Sequence, residues 1–197
     1  MTNNPLPRPS HPCRCDGLGR KIDWRHLVTA SLREVSSYLG TFDSYARTAA
    51  MTYLMIASSP RRALEIFLDS GNTCDAPWPY RSYLAAELRD AINKVALIDL
   101  LEPPERAFYA ALPHLVPVWR GCEHGRVRGL SWTTDRMVAE GFALGRRCRN
   151  AHPTLIHAEI PKQNIFGVFL GREERELALD PRCLRKLRQE PFTASDT

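Results

Sequence analysis

Hydrophobic residues in the first half of the chain recur every three or four positions, which is the spacing of one face of an α-helix. Glycines and prolines stand between these runs, where helices commonly end or begin. The pattern predicts a helical region over residues 22–112, whose apolar stripes face a core and carry no chemistry. The individual helices are expected at about 23–40, 42–58, 61–70, 84–95 and 104–112.

After Pro113 the pattern changes to short apolar runs, some of which alternate with polar residues as half-buried β-strands do. One helix is expected after Thr134 or Asp135, continuing to about residue 147, and a closing helix over residues 182–189. Helices first and strands afterwards predict an α+β fold. Strands are expected at 115–120, 129–133, 154–160, 165–170 and 176–179.

The two ends of the chain are expected to be loosely structured. Residues 1–21 contain four prolines and little apolar content, so we predict a flexible N-terminal segment. Residues 191–197 are predicted to form a loose C-terminus. The compact part is then a helical region over 22–112 followed by a region of strands and helices over 113–190.

Composition favours a soluble protein of ordinary type, with 44% hydrophobic and 25% charged residues in a chain of 197. No run of about 18 apolar residues is present, and the polar start does not have the form of a secretory signal. We therefore expect a cytoplasmic location and no membrane partner. The net charge of +5 favours an anionic ligand, either a dinucleotide or a nucleic acid.

The six cysteines are scattered and form no C-x-x-C pair. His11, Cys13 and Cys15 lack a second ligand pair at zinc spacing, so no metal is predicted. The common nucleotide signatures are absent as well, because the sequence has no G-x-x-x-x-G-K-[ST] and no completed G-x-G-x-x-G. A dinucleotide would have to bind in another way.

Three short motifs in the second half carry groups that could do chemistry. Arg120 ends an apolar strand and is followed by Gly121; an arginine fork binds phosphate well, although most strand-end arginines are surface residues. Ser131 and Thr133 alternate on the next strand, so both hydroxyls share a face, as they also would in a strand leading into a helix cap. Glu174 and Glu176 enter a late strand, where paired carboxylates can divide acid–base roles or form a charged turn.

Taken in order, the motifs Arg120-Gly121, Ser131-Trp132-Thr133 and Glu174-Arg175-Glu176 resemble those of the mono-ADP-ribosyltransferases of the Arg–Ser–Glu clade. The resemblance covers about residues 113–188 and includes the segment from Glu176 to Pro181. It departs from many members in the short distance of 11 positions between Arg120 and Ser131 and in the bulky Trp132. It implies a compact, split β-sheet core on which the helical region packs.

The resemblance also implies a reaction in which NAD is the substrate and ADP-ribose is transferred to a macromolecule. Glu176 would stabilise the oxocarbenium-like state and bind the ribose, while Ser131, supported by Thr133, would orient Glu176. Glu174 would activate the acceptor. Arg120 would hold the diphosphate and the Gly121 backbone the nicotinamide carboxamide.

Two further expectations follow from the same resemblance. Phe142, on the helix after Ser131, is the candidate ring to stack on nicotinamide, with a core position as the alternative. The glutamate at position 174 favours a protein arginine as the acceptor, with nucleic acid as a less favoured target. Three other functions stay open: an NAD glycohydrolase on the same scaffold, a non-catalytic relative that binds a partner, and a basic nucleic-acid-binding module.

Overall fold

A computed structural model of the chain describes residues 15–74, 78–145, 150–171 and 174–192. Residues 1–14 of the predicted flexible segment, which include His11 and Cys13, lie outside these ranges. Residues 193–197 of the predicted loose C-terminus also lie outside them, as does residue 147, where the helix after Asp135 is expected to end. The chain divides into two compact units, residues 1–100 and 101–197. Within the described ranges no helix has both the length and the apolar character needed to cross a bilayer.

The first unit is helical, as its periodicity predicts. The stretch expected to form one helix from residue 23 to 40 is two helices, because Ser31 interrupts it. The Ser31 side chain accepts the N–H of Glu34, and the Glu34 carboxylate accepts the N–H of Ser31 at 2.9 Å, a reciprocal cap that begins a new helix. The helices are α1 (Trp24–Thr29), α2 (Leu32–Leu39), α3 (Ser44–Ala57), α4 (Pro60–Ser70) and α5 (Arg81–Lys94).

The core of the first unit is built from the apolar stripes of these helices. Each stripe contributes side chains that are almost completely removed from solvent, which is the main source of stability for helices this short. Among the residues at most 1% exposed are Val35, Met51, Leu54, Leu64 and Leu88.

The boundary between the units lies before the last helix that we had assigned to the helical region. Helix α6 (Pro103–Ala111) belongs to the second unit, which begins at Leu101. Lys162 explains this grouping, because its ammonium donates to the carbonyls of Ala110 at 2.9 Å and Leu112 at 3.2 Å. The Tyr109 hydroxyl in turn donates to the Lys162 carbonyl at 3.3 Å.

The second unit contains a six-stranded sheet in the order β4-β5-β2-β1-β3-β6, and every neighbouring pair is antiparallel. Helices followed by an antiparallel sheet confirm the α+β class. Helix α7 (Arg136–Ala143) follows β2; it stops before residue 147 because Gly145 adopts a positive φ of 86° just after its last turn. The strands are β1 (Leu115–Glu123), β2 (Ser131–Thr133), β3 (Pro153–Pro161), β4 (Ile165–Phe169), β5 (Glu176–Leu179) and β6 (Arg185–Pro191).

The closing helix expected at residues 182–189 is wrong, because most of this segment belongs to strand β6 (Arg185–Pro191). Its residues are mostly good helix formers, but Leu184 and Leu187 are the only large apolar side chains that a helix there could bury. As a strand the segment pairs with β3, so the backbone groups of both strands find partners. Lys186 has a φ of 48°, where the register against β3 shifts.

The two faces of the sheet differ in what covers them. One, the core face, carries buried apolar residues such as Val118, Ile156 and Leu177. The other is the helix face, because α7 packs on it over β1. A Cβ at Gly121 would lie 1.8 Å from the Ala139 carbonyl oxygen of α7, which shows on which side of β1 the helix sits.

Candidate active site

The three motifs found in the sequence lie on three strands that are neighbours in the sheet. β5 carries Glu176, β2 carries Ser131 and Thr133, and β1 carries Arg120, and these strands are adjacent in the order β5-β2-β1. Strand pairing therefore brings the motifs together although they are distant in the sequence. The backbone segments come together, and the pleat decides which side chains share a face.

A line of directly paired residues runs across the whole sheet, one from each strand. Residues that pair across antiparallel strands point to the same side, so this transverse row shares one face. That face is the helix face, since Trp119 alternates with Arg120 and lies two residues before Gly121. The transverse row is Phe169–Glu176–Thr133–Trp119–His157–Arg188.

Ser131 and Glu176 share the helix face and lie diagonally across β2 and β5. Ser131 pairs with Ala178 and Thr133 pairs with Glu176, so the serine is one diagonal step from the acid. Diagonal neighbours of this kind have Cα atoms about 7–8 Å apart, within the combined reach of a serine and a glutamate side chain. Both residues are half-buried. The strand register thus places the two residues that the sequence proposed as partners on one face, as diagonal neighbours.

The Thr133 hydroxyl is hydrogen-bonded to the segment that contains Glu174, the second carboxylate. It donates to the carbonyl of Glu174 at 2.7 Å and accepts the N–H of Asp135 at 3.0 Å. The side chain of Asp135 caps α7 by accepting the N–H groups of Met137 and Val138. One buried hydroxyl therefore joins the start of the helix to the segment that leads into β5.

Arg120 lies on the opposite side of the pleat from these hydroxyls. It alternates with Trp119 and faces the core side together with Cys122, where burial raises the pKa of the thiol and the Arg120 guanidinium opposes that shift in part. Its Nη1 donates to the Ser131 carbonyl and its Nε to the Arg126 carbonyl at 3.4 Å.

The guanidinium of Arg120 sits where strands β1 and β2 part. Within the described residues these strands pair only at Trp119 and Thr133, whereas β1 pairs with β3 at nine positions. The Arg120 guanidinium, which donates to the Ser131 carbonyl, therefore lies where β1 and β2 are not paired. In this structure the arginine shapes the turn between β1 and β2, and the pleat keeps it apart from Glu176.

Gly121 and Phe142 are both tied to the packing of α7. The Cβ position of Gly121 is taken by the backbone of α7, 2.4 Å from the nitrogen of Ala143. Close helix packing is therefore a sufficient reason for a glycine there. Phe142 is half-buried on α7, and its carbonyl accepts the side-chain amide of Asn150 at 2.9 Å. The row places two other rings, Phe169 and Trp119, on the helix face near Glu176.

A stack of three side chains on the helix face was missed at the level of sequence. Trp119 and His157 pair across β1 and β3 with ring centroids 4.3 Å apart. The guanidinium carbon of Arg136, in the first turn of α7, lies 5.1 Å from the centroid of the Trp119 ring. Alternation within β1 and β3 puts both rings on one side, but their register depends on strand pairing, which no single sequence displays.

Comparisons with protein-family models, with curated proteins and with solved structures found no match. In the part of the chain that the structure describes, no three His, Cys, Asp or Glu side chains are grouped so that they could hold a metal ion.

Proposed function

We propose that this chain is an NAD-dependent mono-ADP-ribosyltransferase whose acceptor is a macromolecule, with a protein arginine as the expected target. The observation that carries the proposal is the position of Glu176, half-buried and paired with Thr133, one diagonal step from Ser131 on the same face. A half-buried carboxylate with a serine as its diagonal neighbour suits a reaction that generates positive charge on a sugar.

In that reaction the bond between the nicotinamide nitrogen and the ribose C1′ breaks, and nicotinamide leaves with the electron pair. The ribose becomes oxocarbenium-like, and a nearby carboxylate stabilises the developing positive charge. Glu176 has this role, and the Ser131 hydroxyl orients it. The acceptor nitrogen then forms a bond to C1′ and loses its proton.

Glu174 is the group that takes this proton. It lies two residues before Glu176, on the segment whose carbonyl is held by the Thr133 hydroxyl at 2.7 Å. Arg175 between them has a φ of 44°, a left-handed conformation that turns the backbone sharply at this point. The backbone between Glu174 and Glu176 thus has a defined conformation. This suits a Glu174 carboxylate that meets an acceptor approaching beside the sugar.

Incubation of the purified protein with NAD labelled in the adenosine part and a cell lysate tests this proposal. The native protein should attach label to macromolecules, and Glu176→Gln should attach none. Glu174→Gln should lose transfer but keep NAD cleavage, since it alters only the acceptor step. Protease and nuclease treatment of the labelled product then identifies its class: label lost with protease supports the protein acceptor.

Three outcomes would change or remove the proposal. Consumption of NAD without labelling of macromolecules would make the protein an NAD glycohydrolase. Label that is sensitive to nuclease would move the acceptor from protein to nucleic acid. Equal labelling by all three proteins would show that neither glutamate is catalytic, and the site would then be wrong.

A further inference from the structure

We infer that Arg136, rather than Arg120, holds the diphosphate of the dinucleotide, using the Trp119 ring as its support; this inference rests on the proposed function. The charge of the substrate requires a cation on the face that carries Glu176. Arg136 is in the first turn of α7, three residues after Thr133, and its guanidinium carbon lies 5.1 Å from the Trp119 ring centroid.

The register of the sheet puts this guanidinium on the correct side. Trp119 pairs with Thr133, and Thr133 pairs with Glu176, so the tryptophan and the acid share the helix face. They are two strand spacings apart, about 10 Å. A cation held over Trp119 can therefore contact the diphosphate of an extended dinucleotide while the reacting sugar lies beside Glu176.

Arg120 does not have the same freedom. Its Nη1 and Nε donate to the carbonyls of Ser131 and Arg126, and its side chain leaves β1 on the core face. To meet a ligand beside Glu176, the guanidinium would have to give up both carbonyls and pass to the other side of the pleat. The cost of leaving these carbonyls without a donor opposes that movement.

Arg136 remains accessible although it has partners. Its side chain is 58% exposed, and its Nε pairs with the Glu140 carboxylate at 2.7 Å, one helical turn away. An ion pair with an exposed partner contributes little to stability, so a diphosphate, with more charge, competes well for the guanidinium. Stacking on Trp119 restricts the side chain beforehand and lowers the entropy lost on binding.

The chain offers a closely matched control for this arginine. Arg61 and Glu65 in the first unit form the same pair over one helical turn, at 3.1 Å, and the Arg61 side chain is 59% exposed. The variants Arg136→Gln and Arg61→Gln therefore remove the same charge from the same local setting. A difference between them therefore results from the position of Arg136 over the Trp119 ring.

Titration calorimetry with NAD on the full chain measures the effect. Arg136→Gln should weaken NAD binding by at least about tenfold, the usual effect of losing a charged hydrogen bond, and Arg61→Gln should leave it unchanged. Arg136→Lys should recover part of the affinity, because lysine keeps the charge but not the paired donors. In steady-state NAD cleavage, Arg136→Gln should raise KM and leave kcat within about threefold.

The failure of this inference is distinct from the failure of the proposed function. If Arg136→Gln binds NAD as tightly as the native chain while Glu176→Gln abolishes cleavage, the diphosphate lies elsewhere and the transferase stands. If Arg136→Gln and Arg61→Gln weaken binding equally, the effect is one of overall charge and the inference is wrong. If the native chain binds no NAD, both the proposed function and the assignment of Arg136 fall.

Discussion

Glu176 and Thr133 lie directly opposite each other on β5 and β2, and the same threonine hydroxyl holds the carbonyl of Glu174 at 2.7 Å. One residue therefore sets the position of the two glutamates with respect to the sheet. It also accepts the N–H of Asp135 and so connects them to the beginning of α7. In the proposed reaction, this hydroxyl would position Glu174.

Thr133→Val keeps the shape of the side chain and removes this hydroxyl. The Glu174 carbonyl and the Asp135 N–H both lose a partner, so the free energy of unfolding should fall by about 1–3 kcal/mol. Transfer to an acceptor should decrease more than NAD cleavage, since Glu174 is held less firmly. Urea unfolding and the transfer-to-cleavage ratio measure the two effects. Thr134→Val is the control, and equal behaviour of both variants would contradict this role.

Arg120 is expected to act on stability more than on substrate binding. Arg120→Ala removes the donors to the Ser131 and Arg126 carbonyls, and we expect a loss of about 1–3 kcal/mol in the free energy of unfolding. Arg126→Ala, at an exposed position in the same turn, should change it by less than about 0.5 kcal/mol. An Arg120→Ala protein with native stability and no NAD affinity would instead support a direct diphosphate contact.

Gly121 should tolerate no side chain. A Cβ there would lie 1.8 Å from the Ala139 carbonyl oxygen, an atom of the helix backbone that cannot move alone. Gly121→Ala should therefore displace α7 and cost about 3 kcal/mol or more. Gly125→Ala is the control, since its Cβ would meet nothing within 4 Å. Urea unfolding of both variants tests this, and equal stabilities would show that α7 does not pack against β1 as described.

The helical periodicity and the α+β order were sufficient to predict most elements, because apolar spacing reflects which side of an element is buried. The break at Ser31 was missed, although the reciprocal cap with Glu34 is visible in the sequence as Ser-x-x-Glu. Strand β6 was missed for a different reason. Its helix-forming residues pair with β3, and this long-range pairing overrides local propensity.

The site shows a similar division between what is local and what is not. That Ser131 and Thr133 share a face follows from their spacing alone. Whether Arg120 joins them depends on the register of β1 against β2, where Trp119 and not Arg120 pairs with Thr133. The stack of Arg136, Trp119 and His157 likewise needs three elements to meet. Spacing along the sequence shows which residues of one strand share a face. Which residues of two different strands share a face depends on how the strands pair.

Stability should depend on pH through Glu123, at the end of β1. Its carboxylate accepts the N–H of His152 at 3.1 Å and of Ala151 at 2.6 Å, and the hydrogen bond from His152 is the largest influence that holds its pKa below the ordinary value of 4.5. A lowered pKa stabilises the fold above about pH 4.5, and this contribution is lost as the pH falls through the folded-state pKa.

The variant Glu123→Gln isolates this contribution. Its free energy of unfolding should be lower than that of the native chain at pH 7, and the difference should shrink as the pH is lowered toward 3. Urea unfolding across this range gives the measurement, with Glu190→Gln on exposed β6 as the control. A difference that stays constant with pH would show that the carboxylate charge is not involved.

The most direct test of the catalytic assignment is the rate at which nicotinamide is released from NAD, measured by chromatography with the purified native chain and Glu176→Gln. Removing the charge that stabilises the oxocarbenium-like state should slow release by at least about 100-fold, with Glu190→Gln unaffected. A Glu176→Gln protein that releases nicotinamide at the native rate would contradict the role of this carboxylate.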